Sequence, residues 1–253
     1  MSVVTREDIA DCAVLTLNRP EVLNAVSNRL LDELEAHLDD IASDAPRALV
    51  ITGQGRAFCA GSDLNERDGD PALRIAQVHR LIERLIHFPK ISVAALNGPA
   101  LGGGLEIALA CTFRIATSDA RLGLPEIKLG LMPVYGGTQL LPRLIGERRA
   151  LQMMLSGDAV AGATALEFGL VDQLVEQAPD VLQAALHMAK HHAQYGLVAQ
   201  QAIRRAVREG MQLSLTDALA LEHTLGPLVA ATADAREGIQ AFLERRAPVF
   251  RDA

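Results

Sequence analysis

Two short apolar runs, RALVITG (47–53) and ISVAALNG (91–98), each close on a glycine, and an amphipathic stretch lies between them. That stretch, ALRIAQVHRLIERLIHF (72–88), puts Leu73, Ile75, Val78, Leu81, Ile82 and Leu85 on one helical face. Runs of this length bounded by glycine predict buried strands, and the 3.6-residue spacing predicts a helix closed by Pro89. Strand, helix, strand in this order commits the chain to a layered α/β arrangement. The pattern extends in both directions. CAVLTLN (12–18) alternates as a strand. SNRLLDELEAHLDDI (27–41) carries Leu30, Leu31, Leu34 and Leu38 at helical spacing, and TFRIAT (112–117) is a further strand. After about Ala178 the strand signals stop. Four helical stretches follow, with Asp180, Ser214 and Asp234 as candidate N-caps. The expected organisation is an α/β core over 1–195 and a helical region over 196–253.

Composition excludes several classes. The chain has 253 residues, 49% hydrophobic and 22% charged, the balance of a soluble globular protein. A net charge of −7 argues against nucleic acid as a partner. No apolar run has the length of a membrane helix, so no membrane partner is expected. Arg6, Glu7 and Asp8 stand where a signal peptide needs its apolar segment, which points to a cytoplasmic protein. Cys12, Cys59 and Cys111 fit neither a metal spacing nor a disulfide framework and are expected to be buried thiols. His187 and His191 are four apart but lack an evident third ligand, so no metal is expected.

The chemistry concentrates in three stretches. In LNGPALGGGLEIALAC (96–111), Glu106 is the only charged residue between Lys90 and Arg114. A buried carboxylate without partners costs several kcal/mol or shifts its pKa. The glycines precede a helix expected to start near Gly103, whose first N–H groups have no internal partner and suit an oxyanion hole. Close helix packing alone would also explain these glycines. In GQGRAFCAGSDLNE (53–66), Ala60 and Gly61 are expected to leave main-chain N–H groups open, and Asp63 to cap a helix near Leu64. In ARLGLPEIKLGLMPVYGGTQLLPRLIG (120–146), Glu126 sits among Leu122, Leu124, Ile127 and Leu129. Two carboxylates in apolar settings, each beside a glycine-rich turn, are the equipment of acid–base catalysis.

These three stretches, with LTLNRPEVLNAVS near the start and EGIQAFLERRAPVF near the end, resemble the crotonase superfamily, specifically its enoyl-CoA hydratases, over nearly the whole chain. The resemblance implies a crotonase-like (ClpP/crotonase) spiral of ββα units with a C-terminal helical trimerisation region, assembled as a homotrimer or homohexamer. It implies reversible addition of water to a 2-enoyl-CoA thioester. No cofactor is implied, because CoA is part of the substrate. By the same resemblance, Ala60 and Gly103 supply the oxyanion N–H groups, Glu106 activates the water, and Glu126 protonates C2. Val22, Leu23, Ala25, Ala60, Ser62, Asp63, Leu64, Leu101 and Gly103 would contact the CoA ester. The alternatives are another reaction of the superfamily, such as enoyl-CoA isomerisation, and a non-catalytic acyl-CoA-binding protein. Two departures stand out. Glu21 replaces a common lysine, leaving Arg19, Arg245 or Arg246 as candidate cations for the CoA phosphates, and Val134 and Tyr135 replace small residues beside the expected acyl pocket.

Overall fold

Each predicted apolar run forms a strand in the computed structural model, which describes residues 2–66 and 70–252. The chain opens with β1 (Val4–Ile9) and β2 (Cys12–Leu17), paired antiparallel, and then α1 (Asn28–Ser43). β1 escapes the apolar-run criterion because one face of VTREDI is solvated. α1 starts where Ser27 Oγ accepts the Leu30 N–H at 3.1 Å, and it buries Leu30, Leu31, Leu34, Leu38 and Ile41. β3 (Ala48–Gly53) follows, then α2 (Pro71–Ile86), capped by Asp70, and β4 (Ile91–Leu96). Every residue of β3 and β4 is buried. Helical crossovers cover both faces of a parallel sheet, so its inner strands read as unbroken apolar runs.

Past β4 the elements shorten. They are β5 (Ala100–Leu101), α3 (Gly103–Ala110), β6 (Phe113–Thr117), β7 (Arg121–Gly123), a 3-10 turn over Pro125–Leu129, α4 (Gly137–Ile145) and α5 (Glu147–Ser156). β8 (Val160–Ala161), α6 (Gly162–Phe168), β9 (Gln173–Val175) and α7 (Ala178–Ala193) follow. The main sheet runs β1-β2-β3-β4-β6-β9 and is parallel from β2 onward; β5-β7-β8 make a second, small sheet. α3 leaves β5 at the point where the chain passes between the two sheets, and that crossing positions the candidate site.

The chain divides into two compact units, Met1–Lys190 and His191–Ala253. The second contains α8 (Leu197–Gly210), α9 (Leu215–Ala230) and α10 (Ala233–Glu244). Ser214 caps α9 as expected. Asp180 and Asp234 do not cap. Asp180 lies inside the first turn of α7, and the cap of α10 is Thr232, whose Oγ1 takes the Ala235 N–H at 3.0 Å. Asp234 is thereby released to accept the N–H groups of Arg251 and Asp252 at 2.7 and 2.8 Å, which pins the C-terminal tail. All three cysteines are free and buried. His187 and His191 are exposed. Among the described residues no group of three His, Cys, Asp or Glu could hold a metal ion, and no helix is long and apolar enough to cross a membrane.

Candidate active site

The site is built around the start of α3. Gly102 adopts φ 51°, ψ −131°, a conformation open only to glycine. A Cβ there would stand 2.8 Å from Glu126 Oε1, so the backbone and that carboxylate lie against each other. Gly104 is as constrained, because a Cβ would meet the Cys59 carbonyl at 2.4 Å. The glycines therefore serve both of the alternatives open in the sequence: close packing and an accessible helix N-terminus.

All eight residues of α3 are buried, Glu106 included. Its Oε1 accepts two hydrogen bonds, from the N–H groups of Tyr135 at 2.8 Å and Gly137 at 2.7 Å. Burial pushes this carboxyl up to about 7, and the Glu126 charge pushes the same way against the two N–H groups. Gly136, at φ 106°, bends the loop so that both N–H groups converge on one oxygen.

Glu126 occupies the 3-10 turn that follows β7, with Pro125 at the first position. Burial raises its carboxyl as well. Its Oε2 is buried and has no hydrogen-bond partner among the described residues, which leaves that oxygen available to a bound molecule.

The residues expected to flank the thioester do come together. Segment 22–26 runs beside segment 60–63: Val26 N–H donates to Gly61 O at 2.8 Å and Asp63 N–H to Val26 O at 2.9 Å. Leu101 N–H donates to Cys59 O at 2.9 Å. Val22 and Leu64 are exposed, while Leu23, Ala25, Ser62 and Leu101 are half-buried. The expectation for Ala60 is corrected. Its N–H donates to Leu23 O at 3.0 Å, so it is not open to a ligand. Ser62 N–H has no protein acceptor among the described residues, and Ser62 Oγ lies 3.5 Å from the position of a Cβ on Gly103.

Asp63 does not cap a helix near Leu64 either. Residues 64–65 form a turn, in which Asp63 Oδ1 accepts the Asn65 N–H at 3.1 Å. Its other oxygen pairs with Arg19 at 2.8 Å, and that guanidinium holds the carboxyl below its ordinary value. Arg19, bonded also to Ala25 O, is thus committed inside the protein rather than free for a phosphate. Arg246 is tied to Glu237 and Glu244. Arg245 stays exposed at the end of α10.

Two contributors escape sequence reasoning. Asn24, wholly buried, donates from Nδ2 to the carbonyls of Gln54, Ala57 and Phe58 and accepts the Arg19 N–H, locking its own turn to the loop after β3. Arg74, on α2, donates to the Tyr135 hydroxyl at 2.9 Å. An asparagine beside a proline turn is a weak signal for the first; the second has none.

Both the sequence and the fold have known relatives. A family model described as enoyl-CoA hydratase/isomerase matches residues 7–253. A 2,3-dehydroadipyl-CoA hydratase of Escherichia coli is 43% identical over 241 residues, covering 94% of each chain. A probable enoyl-CoA hydratase of Bacillus subtilis is 40% identical over 245 residues, covering 94% of this chain and 95% of its own. The crystal structure of an enoyl-CoA hydratase from Bacillus anthracis superposes with a TM-score of 0.93 at 37% identity, covering 99% of this chain and 100% of that one. A chain matched along nearly its whole length by that family model, and sharing the fold of the solved hydratase, belongs to the crotonase-fold enoyl-CoA hydratase/isomerase family.

Proposed function

We propose that this protein is an enoyl-CoA hydratase that adds water reversibly to a 2-enoyl-CoA thioester. The observation that carries the reading is the pair of carboxyls. Glu106 and Glu126 are both driven upward by burial, and the charge on Glu126 acts on Glu106. Each carboxyl therefore resists ionisation more than an exposed glutamate does. One carboxylate base and one carboxylic acid are what hydration of a double bond requires.

In this mechanism the thioester oxygen takes the N–H groups of Gly103 and Ser62. Their free N–H groups and mutual proximity support that choice over Ala60. The hole stabilises charge that exists only along the reaction path, worth about 3–4 kcal/mol per donor. Glu106, fixed by two N–H groups, takes a proton from water as its oxygen bonds to C3. The double-bond electrons move onto the thioester as an enolate, and C2 then takes the proton of Glu126. The pair ends with its proton on Glu106 instead of Glu126, and exchange with solvent resets it. Each acid–base group contributes roughly 10²–10⁴-fold. No cofactor enters, since CoA arrives with the substrate.

Val22, Leu23, Ala25, Ser62, Asp63, Leu64 and Leu101 form the assigned CoA-ester contacts, supported by the pairing of segments 22–26 and 60–63. We include a homotrimeric or homohexameric assembly. The second unit exposes Ile203, Val207, Leu228, Ile239 and Phe242, more apolar side chains than a lone helical unit needs. A cytoplasmic setting accords with three free cysteines. Isomerisation is disfavoured because shifting a double bond needs one carboxyl and leaves the other without work. Reaction with crotonyl-CoA in heavy-oxygen water decides between them: hydration puts the label on C3 of a 3-hydroxyacyl product. A labelled product is expected; an unlabelled rearranged enoyl ester from a 3-enoyl substrate would establish isomerisation instead. Light scattering is expected to give the mass of three or six chains.

A further inference from the structure

Tyr135 touches both halves of the machinery. Its N–H holds Glu106 Oε1, and its ring lies against Gly103 so closely that a Cβ there would stand 2.7 and 2.8 Å from Cδ2 and Cε2. The phenol is buried, and a buried hydroxyl without a partner is costly. Here the partner is Arg74, whose Nε donates to the hydroxyl at 2.9 Å. The guanidinium is itself immobilised. It donates to Val26 O and Asn28 Oδ1, both at 2.6 Å, and faces Glu66 Oε2 at 3.4 Å. Val26 is bonded across to the Gly61–Asp63 segment, so one arginine ties α2 to both walls of the site. His79, five residues farther along α2, holds the same loop through Val134 O at 2.7 Å.

A ring pinned at its far end cannot swing aside. On the hydratase reading the thioester oxygen takes the Gly103 N–H, and this ring packs against that same residue. We infer that Tyr135 is the specificity-determining residue of the acyl site and Arg74 the positioning residue that fixes it, so that slim, unbranched 2-enoyl chains are accepted and chains substituted at C2 are refused. The inference rests on the hydratase reading and adds the substrate class.

The test compares kcat/KM for crotonyl-CoA with that for its 2-methyl-branched counterpart, in wild type, Tyr135→Phe, Arg74→Met and the double variant. A pocket wall that discriminates one methyl group is worth about 10–200-fold in this ratio. Wild type is expected to favour the straight chain by such a factor. Tyr135→Phe and Arg74→Met should each relax it about threefold to tenfold, and the double variant no further than Arg74→Met, which already removes the bond to Tyr135 along with those to Val26 and Asn28. Circular dichroism separates this from misfolding, and Tyr135→Phe, which keeps the ring, retains a folded reporter if Arg74→Met does not. Unmoved ratios in an active enzyme, or independent additive shifts, overturn the inference alone. A wild type inactive on both thioesters overturns the hydratase reading and the inference with it.

Discussion

Glu106 and Glu126 are the same residue beside the same glycine turn, and the chain treats them in opposite ways. Glu106 sits in a helix with no exposed residue and has one oxygen saturated by two N–H groups. Glu126 sits in a 3-10 turn with no fully buried residue, and its Oε2 accepts nothing among the described residues. One carboxyl is fixed in place; the other is raised by burial but left with a free oxygen. A base must hold a water still while a bond forms, whereas an acid must deliver its proton to a carbon that moves out of plane. The difference in anchoring matches the difference in the tasks proposed for them.

The comparison breaks most visibly in rate. Glu106→Gln and Glu126→Gln are each expected to lower kcat for crotonyl-CoA hydration about 10²–10⁴-fold, with binding of the CoA ester nearly unchanged by calorimetry. Retained turnover in either variant removes that residue from the mechanism.

Stability should separate the two. The folded value of Glu106, about 7, lies above that of an ordinary glutamate. Its contribution to stability is therefore fully present below the ordinary glutamate range and is lost as pH rises through about 7. The full difference corresponds to about 3 kcal/mol. Glu106→Gln, whose amide oxygen still accepts both N–H groups, is expected to be more stable than wild type at pH about 8 by up to that amount. Near pH 4 the two should match. Urea unfolding at the two pH values measures it, and an equal gain in both conditions would place the effect elsewhere.

The flanking glycines sharpen the contrast further. A Cβ on Gly137 would meet Glu106 Oε1 at 2.8 Å and Leu124 Cδ1 at 2.9 Å, so Gly137→Ala should cost about 1–3 kcal/mol and reduce kcat with it. Gly130 ends the Glu126 turn at φ 70° with nothing within 4 Å of a Cβ. Gly130→Ala should cost about 1 kcal/mol from backbone strain and leave kcat near wild type. Calorimetric midpoints and crotonyl-CoA rates read both variants.

What the sequence disclosed follows from range. β3 and β4 were legible because six consecutive buried positions leave an unbroken apolar run. Glu106 was legible as a lone charge inside such a run. β5, β7, β8 and β9 span two or three residues each, too few for any period to register. The Ala60 N–H looked open because its acceptor, Leu23 O, lies far back in the chain. Arg74 resembles any arginine on an amphipathic helix until the fold sets it against Tyr135 and Val26. Thr232 and Asp234 are both good caps; tertiary demand for a partner to the C-terminal tail decided between them.

The most direct test of the central claim follows the conjugated enoyl-thioester absorption of crotonyl-CoA with wild type and Glu126→Gln side by side. The account predicts rapid loss with wild type, a fall of at least about 10²-fold in the variant, and undiminished binding of the CoA ester. Loss at the wild-type rate in Glu126→Gln would contradict it, because the unanchored carboxyl would then not be the acid.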